Sequence, residues 1–227
     1  MSKATVTLAV GARGTGKTAW MVRQVAACSR LMVWDYKGDP RLRGIGERYT
    51  DLGAAIRATA APTFRVHYVV NQRLDVARQF ELFCETAWKA SRLMLFVAEL
   101  PQVTKANGGP DVWKRCVNVG RLYEDPDTGR ELSLSIIAET QRMAEIDKSI
   151  IGNCDVVHLG RLGNLNDCKM FATMWGIQAQ ELATMPDLHW VEKDPQRPGL
   201  RRGVLTFGNV ARKKVLPEKT RPKGPTP

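Results

Sequence analysis

The residues with the clearest chemical meaning form a glycine-rich segment near the start of the chain. This segment matches the pattern G-x-x-x-x-G-K-[ST] at every fixed position. Its eight residues are Gly11, Ala12, Arg13, Gly14, Thr15, Gly16, Lys17 and Thr18. Glycines let such a loop turn tightly enough for its backbone N–H groups to point at a phosphate. In this pattern the lysine reaches the β- and γ-phosphates and the hydroxyl is a ligand of Mg²⁺, so the segment predicts a site for ATP with Mg²⁺.

A second candidate follows an apolar run that reads Leu-Met-Leu-Phe-Val-Ala over residues 93–98. The run is typical of a buried strand, and Glu99 follows it directly. Many enzymes with a phosphate loop end this strand in Asp-Glu, where the Asp holds the water shell of magnesium and the Glu polarises the attacking water. Ala98 stands in place of the Asp. We therefore predict that Glu99 is the catalytic base and that the magnesium ion is held in another way.

Asp35 is a candidate for the missing metal ligand. It ends a second apolar run, which is followed by Tyr36, Lys37, Gly38 and Asp39. An Asp in this position can also accept hydrogen bonds from the backbone of the turn that follows it. The sequence leaves both roles open.

The elements that must position these residues alternate along the chain. Apolar runs predict strands near residues 5–10, 30–35, 63–70, 93–99, 132–138 and 156–161. Helical spacing predicts helices over residues 17–29, 52–60, 74–91, 111–122 and 166–184. This alternation is typical of an α/β fold with a mainly parallel sheet flanked by helices. No linker divides the pattern, so we predict one domain over residues 1–208.

The charge of the chain is unevenly distributed. The formal net charge is +11, and residues 193–227 hold ten Lys and Arg but only two acids. Six of the 12 prolines lie in the same stretch. We predict an extended basic tail over residues 209–227, because proline removes backbone donors and like charges oppose collapse. Such a tail suits a polyanion, although it can equally serve solubility alone.

Other features of the composition exclude several classes of protein. With 44% hydrophobic and 25% charged residues, the chain is expected to fold rather than remain disordered. The apolar runs are shorter than a membrane-spanning helix requires, and the start lacks the pattern of an export signal. The five cysteines form no C-x-x-C pair, which favours a reducing compartment.

Four segments in order resemble the HerA/FtsK superfamily of DNA-pumping ATPases. After the phosphate loop, Asp35-Tyr36-Lys37-Gly38 is similar to the D-x-K-G element of that superfamily. After Glu99, the run that ends in Thr140-Gln141-Arg142 resembles its strand ending in T-Q-R. The spacing over residues 146–167 resembles the segment that follows T-Q-R. The resemblance covers residues 5–172 and departs from the family pattern at Ala98.

The resemblance implies a RecA-like P-loop NTPase fold and gives roles to two kinds of residue. Gln141 would be the polar sensor that contacts the γ-phosphate or the attacking water. An arginine placed before the sensor strand would reach the nucleotide of a neighbouring subunit, and a guanidinium suits this role because it is always charged. Arg121 is preferred and Arg130 is the alternative. Arg142 and Arg161 are weaker alternatives.

The length of the chain and its lack of a membrane segment narrow the resemblance. The chain looks most like the genome-packaging ATPases of tailless, internal-membrane double-stranded-DNA viruses, the tectivirus type. This implies a ring of identical subunits that pumps double-stranded DNA, without reading bases, into a preformed capsid. The expected partners are capsid, portal or vertex proteins. The expected location is the host cytoplasm during assembly, with possible association with the virion at the packaging vertex.

Two other functions stay open. The chain could be a nucleotide-binding assembly or structural protein of a virion. In that case Ala98, in place of the Asp, makes ATP hydrolysis inefficient. The chain could also be a morphogenesis ATPase of the Zot type, although those proteins typically carry a transmembrane helix.

Overall fold

The computed structural model describes residues 4–207, which form one nine-stranded sheet covered by helices. The predicted tail over residues 209–227 lies outside the described residues, so the predicted domain boundary at residue 208 stays a prediction. The strands are β1 (Val6–Val10), β2 (Arg30–Asp35), β3 (Glu47–Tyr49), β4 (Phe64–Val69), β5 (Leu93–Val97), β6 (Tyr123–Glu124), β7 (Glu131–Leu132), β8 (Leu134–Thr140), β9 (Val156–Leu159), β10 (His189–Lys193) and β11 (Leu200–Val204). The helices are α1 (Lys17–Gln24), α2 (Leu52–Ala58), α3 (Val76–Ala90), α4 (Asp111–Val119), α5 (Lys148–Asn153), α6 (Leu165–Trp175) and α7 (Ala179–Thr184).

The strand order of the sheet is β11-β10-β9-β1-β8-β5-β2-β4-β3. All neighbours pair in parallel except β9 with β10 and β10 with β11, which are antiparallel. The central strands are mostly apolar because both of their faces are covered. β8 lies between β1 and β5, so the carboxyl ends of these three strands meet at one edge. The mainly parallel α/β sheet predicted from the sequence is confirmed.

The two faces of the sheet carry separate apolar layers. One layer lies against α1 and contains Trp20, Met21 and Phe96. The other is larger and contains residues of α3, α4, α5 and α6. Aromatic side chains are concentrated there: Trp34 of β2 packs against Phe80 with ring centroids 5.0 Å apart, and Phe80 packs against Trp113 at 5.6 Å. α1 therefore packs against this face of the sheet.

Several predicted elements differ from the observed ones at their ends. The helix predicted over residues 166–184 is two helices, because Gly176 adopts a left-handed conformation with a φ of 67° and ends α6. The helix predicted over residues 17–29 ends at Gln24. The strand β3 and the hairpin of β10 and β11 were not predicted. Glu124 and Glu131 pair in the short ribbon of β6 and β7, which forms an excursion before β8.

Phe80 offers a direct test of the larger apolar layer. Its side chain is fully buried between Trp34 and Trp113. We expect Phe80→Ala to lower the free energy of unfolding by about 3–5 kcal/mol, because it removes apolar contacts and leaves a cavity. Lys89→Ala, on the exposed side of the same helix, is the control and should change it by less than about 0.5 kcal/mol. Urea denaturation measures both, and equal small effects would contradict the packing described.

Candidate functional site: a phosphate loop and its acidic neighbours

The phosphate loop leaves the end of β1 and lies against the ends of β8 and β9. The Gly11 N–H donates to the Thr140 carbonyl at 3.3 Å, and the Ala12 N–H donates to the Arg161 carbonyl at 2.7 Å. A Cβ atom on Gly160 would lie 2.7 Å from the Cβ atom of Thr15, so no larger residue fits there without a shift. The loop is therefore anchored on both neighbouring strands.

Two glycines give the loop its turn. Gly14 has a φ of 85° and Gly16 a φ of 92°, a region that L side chains rarely adopt. Gly16 is also the residue at the amino end of α1, which begins at Lys17. The first N–H groups of a helix lack intrahelical partners, so this end attracts an anion. The strand, loop and helix that the sequence motif requires are all present.

Lys17 is folded back onto its own loop. Its ammonium donates to the carbonyl oxygens of Gly11 at 2.7 Å and Ala12 at 3.1 Å. Burial lowers the pKa of Lys17 below its ordinary value, while the nearby carboxylates of Glu139 and Glu99 oppose that shift. A buried cation whose acceptors among residues 4–207 are two carbonyls is well suited to bind an incoming phosphate.

An open cleft of about 640 Å³ lies over the loop. It is lined by the phosphate loop, by the segment that follows β2, and by the ends of β5 and β8. Lys17, Thr18, Glu99 and Gln141, which the sequence singled out from three separate segments, all line it. Their common position follows from the parallel sheet, because the carboxyl ends of its strands share one edge.

Glu99 occupies a strained position at the end of β5. It has a φ of 56° and precedes a 3-10 helix formed by Leu100–Gln102. Its carboxylate forms an ion pair with Lys37, and its side chain remains 18% exposed. Non-glycine residues in this left-handed conformation carry strain of about 1–3 kcal/mol and often occur at functional sites. The placement is compatible with a base, and the catalytic role of Glu99 stays a prediction.

Gln141 follows the last residue of β8 at the same edge. Thr140 closes the turn, because its hydroxyl donates to the Arg142 carbonyl at 2.8 Å and accepts from the Arg142 N–H at 3.1 Å. Gln141 is exposed and lines the cleft. Its role as a sensor stays a prediction.

Glu139 is a cleft residue that the sequence reasoning missed. Its side chain is 5% exposed, and its carboxylate accepts a hydrogen bond from the Thr18 hydroxyl at 3.3 Å. Burial raises the pKa of Glu139, Lys17 opposes that shift, and Glu99 adds to it. The only signal in the sequence was an acid inside an otherwise apolar strand, beside the T-Q-R element.

Asp35 does not line the cleft. Its carboxylate is fully buried and accepts from the N–H groups of Gly38 at 2.9 Å and Asp39 at 3.0 Å. Its second oxygen lies 2.9 Å from the Nε2 atom of His67. This is the turn-capping role that the sequence left open, and it leaves no free oxygen facing the cleft for a metal ion.

The segment after β2 instead brings three charged residues to the cleft: Lys37, Asp39 and Arg41. The guanidinium Nε of Arg41 donates to the Asp39 carboxylate at 2.9 Å. Burial acts to raise the pKa of Asp39, but its hydrogen bonds with Arg41 and the charge of Arg41 together lower it. The hydrogen bond to Asp39 raises the pKa of Arg41. The resemblance to the D-x-K-G element marked this segment but not Asp39 or Arg41.

The preferred arginine, Arg121, and the alternative, Arg130, lie at the opposite edge of the sheet, where the strands begin. Arg121 forms an ion pair with Asp155 at 2.6 Å, and the other oxygen of Asp155 accepts from the Val6 N–H at the start of β1. Arg130 is exposed and donates to the Ala90 carbonyl at 3.3 Å. Neither is positioned to contact a nucleotide bound in the cleft of its own subunit. A role toward a neighbouring subunit stays a prediction for both.

The weaker candidates lie on the cleft side of the sheet. Arg142 is within 3.8 Å of Glu145 and 3.7 Å of Asp167. Arg161 pairs with Asp187 at 2.9 Å, next to the strand end that anchors the loop. Each has an acidic partner within its own chain.

Among the described residues, none of the helices combines the length and apolar character that a membrane crossing requires. The same residues contain no group of three or more His, Cys, Asp or Glu side chains arranged to hold a metal ion.

Comparison with known proteins identifies relatives over almost the whole chain. Protein P9 of Pseudoalteromonas phage PM2 is 25% identical over 214 residues, which cover 88% of this chain and 90% of that protein. No protein-family model matches the chain.

Solved structures show the same fold. The genome-packaging NTPase B204 of Sulfolobus turreted icosahedral virus 2, in complex with AMPPCP, has a TM-score of 0.69 at 14% identity, covering 91% of this chain and 100% of that one. The DNA-packaging ATPase B204 of Sulfolobus turreted icosahedral virus has a TM-score of 0.63, also at 14% identity and with the same coverage. The chain thus has the P-loop NTPase fold and is similar to the genome-packaging NTPases of viruses, which confirms the resemblance to viral genome-packaging ATPases that its sequence predicts.

Proposed function

We propose that the chain is an ATPase that drives double-stranded DNA into a preformed viral capsid. The observation that carries this proposal is the cleft, where one sheet edge brings together Lys17, Thr18, Glu99 and Gln141. The similarity to viral packaging NTPases supports the substrate and the setting. Capsid, portal or vertex proteins are then the partners, and assembly in the host cytoplasm is the setting.

The residues of the cleft divide the work of ATP hydrolysis. The loop N–H groups and the amino end of α1 bind the phosphates, and the Lys17 ammonium turns from the loop carbonyls to the phosphate oxygens. The Thr18 hydroxyl provides a hard oxygen donor of the kind that magnesium prefers, so the cleft fits Mg²⁺ bound with ATP. When bound, magnesium neutralises phosphate charge.

Glu99 and Gln141 act on the attacking water. Glu99 accepts its proton once the carboxylate is released from Lys37, and the Gln141 amide orients the water. The ion pair between Lys37 and Glu99 keeps the base occupied in the nucleotide-free protein. Binding of a polyanionic nucleotide beside Lys37 offers this lysine another partner.

A ring of identical subunits explains the position of the arginines. Arg121 and Arg130 lie opposite the cleft of their own subunit, where a neighbour in a ring could receive one of them. Arg130 is the less constrained of the two, because Arg121 is already paired with Asp155. A guanidinium supplied in this way stabilises negative charge on the transferred phosphoryl group.

Two substitutions separate binding from chemistry. Lys17→Ala should abolish both ATP binding and hydrolysis, because the loop loses its phosphate cation. Glu99→Gln should retain ATP affinity within about threefold and lower the hydrolysis rate by about 10²–10⁴-fold, the range typical of a missing general base. Filter binding measures affinity, and phosphate release in the presence of duplex DNA measures the rate.

The control is Glu85→Gln on the far face of the sheet, which should leave binding and rate unchanged. Hydrolysis by the natural chain no faster than by Lys17→Ala, at any concentration of duplex DNA, would argue against a motor. An undiminished rate in Glu99→Gln would remove Glu99 from the mechanism.

The basic tail generates a separate prediction. Residues 209–227 contain six Lys and Arg but one acid. Replacing the six by Gln should weaken affinity for duplex DNA and flatten its dependence on salt, by about 0.9 in the log–log slope for each phosphate that the tail no longer neutralises, while ATP binding is unaffected. DNA binding titrated between about 50 and 200 mM salt measures the slope. An unchanged slope would assign the tail to another partner or to solubility.

The alternative is a nucleotide-binding assembly protein with little turnover. Ala98 and the pairing of Glu99 with Lys37 favour it, because both weaken the apparatus for hydrolysis. Tight ATP binding with negligible hydrolysis, in the presence of DNA and capsid protein, would establish this alternative over the motor.

A further inference from the structure

The end of β5 has no acid facing α1. Ala98 is 3% exposed and belongs to the apolar layer beneath α1, together with Ala9 and Ile137. An Asp in place of Ala98 would direct a carboxylate toward the amino end of this helix. Of the Asp-Glu pair with which many phosphate-loop enzymes end this strand, the chain therefore has the second acid, Glu99, but not the first.

Glu139 stands next to this position on the adjacent strand. In the parallel pair of β5 and β8, Val97 is opposite Ala138, so Ala98 and Glu139 follow one residue later at the same height. On its other side, Glu139 is opposite Ala9 of β1. Residues opposite each other in a parallel pair point to the same face. Glu139 thus faces α1, one strand closer to the phosphate loop than Ala98.

The carboxylate of Glu139 is poorly compensated within the described part of the chain. Its hydrogen bond from the Thr18 hydroxyl is long, at 3.3 Å. Among residues 4–207, no side-chain nitrogen of a Lys, Arg or His lies close enough to this carboxylate to form an ion pair. The ammonium of Lys17 is instead bound to loop carbonyls. A buried carboxylate without a cation is costly, and this one lies beside a hydroxyl of the phosphate loop.

The Glu139 carboxylate and the Thr18 hydroxyl are oxygen ligands of the kind that magnesium binds. Mg²⁺ takes hard oxygen ligands and, when bound with a nucleotide, uses one or two carboxylates together with phosphate and water. The lack of a larger acidic cluster among residues 4–207 agrees with a metal that arrives with its nucleotide. Two other acids of this region already have partners. Asp35 accepts from the N–H groups of its turn and contacts His67, and Asp39 accepts from Arg41.

We propose that Glu139 supplies from β8 the magnesium-site carboxylate that Ala98 does not supply from β5. In this arrangement the metal-site acid stands on β8, next to β5, while Glu99 has the separate task of water activation. This inference rests on the proposed function only in that the cleft binds ATP with Mg²⁺. It assigns Glu139 to the metal and not to proton transfer.

The test measures binding rather than hydrolysis. The affinity of the full chain for a fluorescent ATP analogue is titrated with Mg²⁺ and again with EDTA, and Mn²⁺ binding to the complex is followed by electron paramagnetic resonance. Glu139→Gln keeps the shape of the side chain and removes its charge. We expect metal affinity to fall by about 10–100-fold, the range seen when groups supporting a metal site are removed, with metal-free nucleotide affinity changed by less than about threefold.

If Glu139 holds the metal ion, an Asp placed at position 98 should restore metal binding to a variant that lacks Glu139. A purely structural role of Glu139 would not predict this rescue. Glu139→Ala should abolish the gain in nucleotide affinity that Mg²⁺ produces. The double variant Ala98→Asp with Glu139→Ala should bind the metal at least about tenfold more tightly than Glu139→Ala alone. Glu192→Gln is the matched control, because Glu192 is another buried acid of the sheet, paired with His158 and Arg201 away from the cleft. It should retain the full metal effect. Thermal unfolding confirms that each variant is folded, and Glu139→Asp, which keeps the charge, should retain part of the effect.

The outcomes are distinct. Full metal enhancement in Glu139→Gln would overturn the inference and leave the proposed function intact. An equal fall of nucleotide affinity with and without metal would also overturn it, because Glu139 would then only position Thr18. A natural chain that binds no nucleotide under either condition would overturn the proposed function together with the inference.

Discussion

The site depends on one steric constraint, the close contact between the phosphate loop and the ends of the two strands beside β1. Gly160 leaves room for Thr15, and the Arg161 carbonyl receives the Ala12 N–H. Because the loop is fixed on this edge, α1 begins directly above the sheet, and Thr18 comes within hydrogen-bond distance of Glu139. A side chain at Gly160 would push the loop away and separate Thr18 from the acids.

Charge in the cleft is arranged to receive a polyanion. Lys17, Lys37 and Arg41 face the same space as Glu99 and Glu139, and in the free protein they use carbonyls or carboxylates as partners. Burial disfavours the charged forms of Lys17 and Glu139, which lowers the pKa of the first and raises that of the second. A nucleotide with its metal ion supplies a partner to each of them, an anion for the lysine and a cation for the carboxylate. Under the proposed function, a metal-bound nucleotide therefore offsets the unfavourable burial of both charges.

The sequence predicted features that depend on local patterns. The central strands were predictable because their apolar runs are continuous, and the loop because its glycine spacing is specific. Glu99 was predictable as a cleft residue because it directly follows such a run, and Gln141 because the T-Q-R element resembles a known family. Glu139 was not, because its importance depends on its register with Ala9 and Ala98, which only pairing of strands distant in sequence establishes. Asp35 was left ambiguous for the same reason: its partner His67 lies on another strand.

The unpredicted hairpin of β10 and β11 shows the same limit. Arg201 and Arg202 belong to the basic stretch over residues 193–227, and both lie in β11, within the domain predicted over residues 1–208. The hairpin depends on Gly203, where a Cβ atom would lie 2.4 Å from the Trp190 ring. No local pattern indicates that contact. Of the ten Lys and Arg over residues 193–227, four therefore lie in or next to this hairpin, and six are left for the predicted tail over residues 209–227.

The central claim is that one cleft assigns its two carboxylates to different tasks, Glu139 to the metal and Glu99 to the water. A crystal structure of the chain with Mg²⁺ and a non-hydrolysable ATP analogue tests this most directly. The account predicts phosphates against the loop N–H groups, the metal ion between Thr18 and Glu139, and Glu99 released from Lys37 toward the γ-phosphate. A metal ion held without Glu139, or Glu99 still paired with Lys37 beside bound nucleotide, would contradict it.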